Sequence, residues 1–285
     1  MLDPVNKATQ NELNNLLERI EILFDSDFIN INGPIGGGLD TLLLNIVEEL
    51  AEDKDKREKL LVMITTNGGD ALTVERIVNI FREHYSEVNF IVPDYAYSAG
   101  TILCMSGDNI YMDYYSALGP IDPQIQNKEQ KWVPALGYLD KIQELLDKAA
   151  EGNISEAEFL ILKDFDLAEI RAYEQAKELT IDLLQDWLVK YKFKNWHTHK
   201  NGKQVLQEEK IACAQKIAEE LNNYRRWKSH GRPLNINALV GIGLKIEDFG
   251  QNIEVKKAVR AYYEMMSDYA IKNGMDGFLH SRRFI

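Results

Sequence analysis

The chain has 285 residues, 45% of them hydrophobic and 27% charged, with a formal net charge of −12. That length allows one large core, or a core with an appended lobe, and the acidic balance without a basic run argues against a nucleic-acid backbone as partner. No apolar stretch approaches the roughly 18 residues that span a bilayer, the start "MLDPVNKATQNELNN" has no basic segment before an apolar run, and Cys104 and Cys213 fit reduced core residues, so a cytoplasmic protein is expected.

Leu13, Leu16, Leu17, Ile20 and Leu23 recur at helical spacing, which predicts an amphipathic helix over residues 1–24. It has no evident place in an α/β core and is expected to be an arm packing on a partner subunit. "FININGPIGGG" is a short strand ending in a glycine-rich turn. Leu42, Leu43, Ile46, Val47 and Leu50 share a helical face that closes at "EDKDKREK". "LLVMITT" has the length and continuous apolarity of a buried parallel strand. Asn67-Gly68-Gly69-Asp70 turns it into a helix carrying Leu72, Ile77, Ile80 and Phe81. "VNFIVP" is the next strand, and a helix after Ser98 leads into "NIYM". Strand alternating with helix implies a parallel sheet covered on both faces. Near Pro134 the pattern becomes helical, with periodic stretches at 139–146 and 159–188, a helix at about 205–224, and two more near Asn237 and after Asn252. The α/β core thus falls at about 25–134 and a mainly helical part at about 135–285, with neither repeats nor low-complexity segments.

Two strand-to-helix junctions carry the chemistry, since ligands of open α/β sheets sit at the carboxyl ends of strands. At "TTNGGD", Gly68 and Gly69 let the backbone approach a ligand closely and leave N–H groups unobstructed. At "YSAGT", Ser98 precedes a helix whose first N–H, on Ala99, has no intrahelical acceptor. A hydroxyl there can attack a carbonyl while the Gly69 and Ala99 amides hold the oxyanion. The plain alternative is that Ser98 is an ordinary helix N-cap. Ala96 in place of glycine sets the motif apart from the Gly-x-Ser-x-Gly elbow.

"LLVMITTNGGDALTVERIV", "FIVPDYAYSAGTILCMSGDNIYM" and "SALGPIDPQI", in that order, resemble the serine dehydrogenase proteinase family of the ClpP/crotonase superfamily, related to signal-peptide peptidase A. The match runs from about Gly33 to Ile125, and fainter similarity continues through "NWHTH" and "RRWKSHGRPLNINALVGIGLKI". The resemblance implies a spiral β-βα core carrying the N-terminal arm and C-terminal helical additions. It also implies a serine peptidase with Ser98 as nucleophile and Gly69 and Ala99 as oxyanion donors, with Gly68 at the substrate. No cofactor or metal is implied. The implied partners are a peptide or protein substrate, further copies of the chain in a ring or trimer-based particle, and an unfoldase. Two rivals remain open: a crotonase-type enzyme acting on an acyl-CoA thioester, and a non-catalytic assembly module.

The base has two candidates. The region where ClpP proteases carry their histidine, here around "LGPIDPQ", has none, since the next histidine after His84 is His197. Lys141 stands at the interval that signal-peptide peptidases use for a Ser-Lys dyad, and such a lysine needs desolvation or a neighbouring cation to act as base. On its helix it lies toward the polar side with Glu144 as an i,i+3 partner, the pattern of a surface lysine. His230, in "WKSHGRPL", has an ordinary pKa suited to the task. Asp122 is available to orient a base. His197 and His199 read as loop residues without a third ligand, "GPIGGGLD" lacks the ending of a nucleotide loop, and Trp187, Tyr191, Phe193 and Trp196 are expected to pack the helical part. His280 is expected in a C-terminal tail, and His84 near a helix end.

Overall fold

The computed structural model describes residues 4–126, 132–199 and 201–283. Helix α1 (Pro4–Phe24) leads into β1 (Asp27–Asn32), α2 (Leu39–Ala51), β2 (Lys59–Thr65), α3 (Ala71–His84), β3 (Glu87–Ile91), the short β4 (Tyr95–Ala96), α4 (Ala99–Met105), β5 (Asn109–Met112) and β6 (Ala117–Leu118). An antiparallel pair follows, β7 (Gln124–Gln126) with β8 (Trp132–Pro134). The chain then turns helical: α5 (Ala135–Ala150), α6 (Glu156–Lys163), α7 (Leu167–Trp187), a π-helical turn (Leu188–Lys192), α8 (Gln207–Leu221), α9 (Tyr224–Trp227) and α10 (Ile236–Gly241). It closes with β9 (Glu247–Asp248), a 3-10 turn (Phe249–Gln251), α11 (Ile253–Lys272) and β10 (Phe278–His280).

Among the described residues the main sheet runs β10-β1-β2-β3-β5-β9, parallel throughout except for β10. Side chains alternate across a strand, and β2 shows why its sequence is apolar without a break. Leu60, Val62 and Ile64 enter one core, while Leu61 and Met63 enter another on the opposite face. The first core is roofed by α2, α3, α4, α7 and α8, and the second by α1 and α11. The result is a mixed α/β fold with a mostly parallel sheet, the class expected from the sequence.

Several local expectations change. Leu13, Leu17 and Ile20 of α1 are fully buried against α11 and the sheet of their own chain, so this helix is a layer of the fold rather than a projecting arm. The stretch 159–188 is two helices, because the Asp166 carboxylate accepts from the Ala168 N–H at 2.8 Å and starts α7 afresh. His280 is no tail residue: β10 pairs antiparallel with β1, and His280 is fully buried. Leu42 and Leu72 point to solvent. No described helix is long and apolar enough to cross a membrane.

Candidate active site

Strand order brings the two glycine- and serine-bearing junctions together. β2 and β3 are parallel neighbours, so the loops after them leave the same edge of the sheet. Beyond β2, the Thr66 N–H donates to the Tyr95 carbonyl (3.1 Å) and the Tyr97 N–H to the Thr66 carbonyl (2.9 Å). This short ladder fixes β4 beside the Gly68-Gly69 turn. On its other side β4 pairs with β6 in parallel.

Ser98 follows at φ 52°, ψ −117°, a conformation that non-glycine residues avoid. It occupies the N-cap position of α4, yet its side chain makes no capping hydrogen bond. A preferred capping residue that caps nothing, held in a strained strand-to-helix turn and half-exposed, is not explained by helix termination. The same backbone shape presents the hydroxyl of an α/β-hydrolase nucleophile.

The small residues around it are sterically dictated. A Cβ on Gly68 would lie 2.7 Å from the Ser98 Cβ and 3.2 Å from the Ala99 nitrogen, at φ +109°. On Gly69, at φ +149°, it would come within 1.8 Å of the Ile35 carbonyl oxygen. On Gly100 it would meet the Thr66 methyl at 2.3 Å. Ile35 holds the turn from the other side, donating to the Gly68 carbonyl (2.9 Å) and accepting from the Asp70 N–H (2.8 Å). Between those bonds, the Gly69 N–H has no acceptor among the described residues, and neither does the Ala99 N–H. Two unsatisfied donors from separate loops therefore flank the serine turn, with the start of a helix adding its positive end.

Two threonines that the sequence did not single out hold this frame. The Thr66 hydroxyl accepts from the Gly68 N–H at 3.0 Å. The buried Thr101 hydroxyl donates to the Ala96 carbonyl (2.8 Å) and accepts from the Gly119 N–H (2.9 Å). Their signal was weak but present: a threonine at a strand end and a hydroxyl inside an apolar helix.

The two candidate bases sit in different surroundings. Lys141 sits on α5 with its ammonium 2.9 Å from Glu144 and half in solvent, as its polar-side position predicts. His230 lies in a turn between α9 and Leu234, and Leu234 bridges to Leu118 through paired hydrogen bonds of 3.1 and 2.8 Å. That bridge lays the His230 turn against the segment after β6, where the His230 Nδ1 lies 3.0 Å from Oδ1 of Asp122. Asp122 is almost fully buried, and its other oxygen accepts from the Gln124 amide at 2.9 Å. On the same segment Gly119 packs so closely on Tyr97 that a Cβ there would lie 2.9 Å from its ring. His199 has turned to Glu209 at 3.2 Å.

Residues 47–203 match the sequence model of the ClpP-like SDH-type serine proteinases. The chain belongs to that family. The match takes in Gly68, Gly69, Ser98, Ala99, Asp122 and Lys141, while His230 lies beyond it. Two uncharacterized proteins of Methanocaldococcus jannaschii are similar, one 29% identical over 208 residues and the other 30% over 198, covering 73% and 69% of this chain. The chain spans 56% of the length of each. Among solved structures, a mutant of the 1510-N membrane-bound stomatin-specific protease superposes with a TM-score of 0.47 at 13% identity, over 79% of this chain and 81% of that one.

Proposed function

We propose that this member of the ClpP-like SDH-type serine proteinases is a peptidase that works through Ser98, His230 and Asp122. Ser98 Oγ attacks the scissile carbonyl as His230 takes its proton. The Gly69 and Ala99 N–H groups receive the charge on the carbonyl oxygen, the amine leaves with the proton, and water releases the acyl group. Asp122 holds the imidazole through Nδ1, leaving Nε2 for the serine. The observation that carries this reading is Ser98 itself: a partly buried serine at φ 52° whose hydroxyl makes no capping bond, beside two unsatisfied amides. The pairing of His230 with a buried carboxylate supports histidine over Lys141, whose ammonium is already neutralised by Glu144 in solvent. The same reading carries a peptide or protein substrate, the superfamily's β-βα spiral and assembly from several copies.

The test is labelling by a fluorophosphonate probe together with peptide hydrolysis by the full chain. Ser98→Ala is expected to abolish both. His230→Gln and Asp122→Asn are expected to lower kcat by about 10²- to 10⁴-fold, and Lys141→Met to change it less than about twofold. Hydrolysis that survives Ser98→Ala removes the proposal. Loss in Lys141→Met with retention in His230→Gln replaces the base.

A further inference from the structure

A cavity of about 710 Å³ opens at the opposite edge of the sheet. Glu87 begins β3, Asn109 begins β5 with Asp108 just before it, and all three line it. Ser98 lies past the far end of β3, roughly 15 Å away by strand rise. The size suits a small-molecule site. The wall opposite the strands comes from the π-helical turn and the loop after it, through Lys192, Phe193 and Trp196, with Leu244 and Ile246 adding apolar surface. π-helical turns recur at functional sites because they are costly to keep otherwise.

The charges around the cavity leave one residue over. Asp108 is matched by Arg82 at 2.8 Å and by Lys194. Lys245 pairs with Glu247, and Glu87 accepts from the Asn89 amide at 2.8 Å. Lys192 has no carboxylate within ion-pair distance among the described residues. Burial, and then Lys245, hold its ammonium down to about 8, against the opposite pull of Glu247, Cys104 and Asp108. A lone ammonium calls for one counter-charge, and the acidic side chains on the wall disfavour a second. Aromatic and aliphatic neighbours call for an apolar body.

We propose that this cavity binds a small apolar monocarboxylate, with the carboxylate on Lys192 and its body against Phe193 and Trp196. The site is separate from the serine site but not isolated from it. α4 begins at Ala99, one of the amides flanking Ser98, and Cys104, about 7.5 Å along it, carries a thiol that Lys192 influences electrostatically. A ligand there therefore bears on the far end of the helix that carries the oxyanion donor.

The experiment is calorimetric titration of the full chain at pH 7 with 3-phenylpropionate, using neutral 3-phenylpropanamide and dianionic phenyl phosphate as comparators. Saturable binding of one 3-phenylpropionate per chain is expected, at least about tenfold tighter than either comparator. Lys192→Met should weaken it by the same factor, Lys192→Arg should restore most of it, and Ser98→Ala should leave it unchanged. Absence of saturable heat, equal binding of the amide, or undiminished binding to Lys192→Met overturns the proposal. Should Lys192→Met fail to fold, the amide comparison on the unaltered protein decides. None of these readouts depends on peptidase activity, so the site stands or falls independently of the Ser98 reading.

Discussion

Gly68 is the residue on which the serine turn rests. It is buried, its φ is +109°, and the space a side chain would fill is taken by the Ser98 Cβ and the Tyr97 carbonyl, at 2.7 and 2.9 Å. Gly68→Ala must therefore push Ser98 away or twist the turn, and displacing a nucleophile by about 1 Å costs on the order of 10²-fold. We expect kcat/KM to fall at least that far, with about 1–3 kcal/mol lost in stability from the strained φ. Peptide hydrolysis and urea unfolding of the variant measure both, and near-normal turnover would show that the close approach is irrelevant to the chemistry. The glycines and Ser98 were readable in the sequence because their roles depend on residue type at short spacing. The strained φ of Ser98 was not, since serine is also a favoured N-cap and only the absent capping bond separates the two cases. His230 and Asp122 were named without their bond, because 108 residues separate them and the Leu118–Leu234 bridge that joins them has no local pattern.

At the scale of elements, the last strand is tied to the first helix and strand by one guanidinium. Arg282, just past β10, reaches Glu21 of α1 (2.6 Å), Asp27 of β1 (2.7 Å) and Asp53 after α2 (3.1 Å). Glu21 and Asp27 are buried, and burial is the main influence raising the Glu21 pKa, countered first by Arg282. Arg282→Ala strips these carboxylates of their shared partner while Arg57 still reaches Glu21 at 3.1 Å. Removing one member of a buried ionic cluster costs about 3–5 kcal/mol, and the surviving Arg57 contact places the expected loss near the lower figure. Urea unfolding at pH 7 checks it, and a loss below about 1 kcal/mol would mean the cluster is solvated. Sequence pattern missed this closure because β10 is three residues long, too short for any periodicity. For the same reason α1 looked unattached: its partner α11 lies at the other end of the chain.

Over the whole molecule, the layer built by α1, α11 and β10 rests on an uncharged imidazole. His280 is fully buried and stacks on Tyr262 of α11 with the rings 9° from parallel. Its Nδ1 lies 2.7 Å from the Tyr262 hydroxyl, and its Nε2 lies 2.9 Å from Oδ1 of Asn14 in α1. Both contacts are satisfied when Tyr262 donates to Nδ1 and Nε2–H donates to Asn14. Burial accordingly pushes the pKa from the ordinary 6.5 down to about 4. Between those values the unfolded chain binds a proton that the folded chain refuses, so the contribution to stability is whole above pH 6.5 and gone by pH 4. The difference of about 2.5 units corresponds to roughly 3 kcal/mol. Glu21 works with the opposite sign: its raised pKa is a penalty at neutral pH that eases on acidification. The wild-type profile therefore mixes the two, and a variant is needed to separate them. His280→Gln keeps a donor and an acceptor but does not titrate. It is expected to be less stable than wild type at pH 7 through loss of the stack, by about 1–2 kcal/mol. Between pH 7 and 4.5 it should lose about 2–3 kcal/mol less than wild type, with Glu21 acting equally in both. Urea unfolding midpoints across that range give the comparison, and parallel decline of the two proteins would mean that His280 accepts its proton without opening the layer.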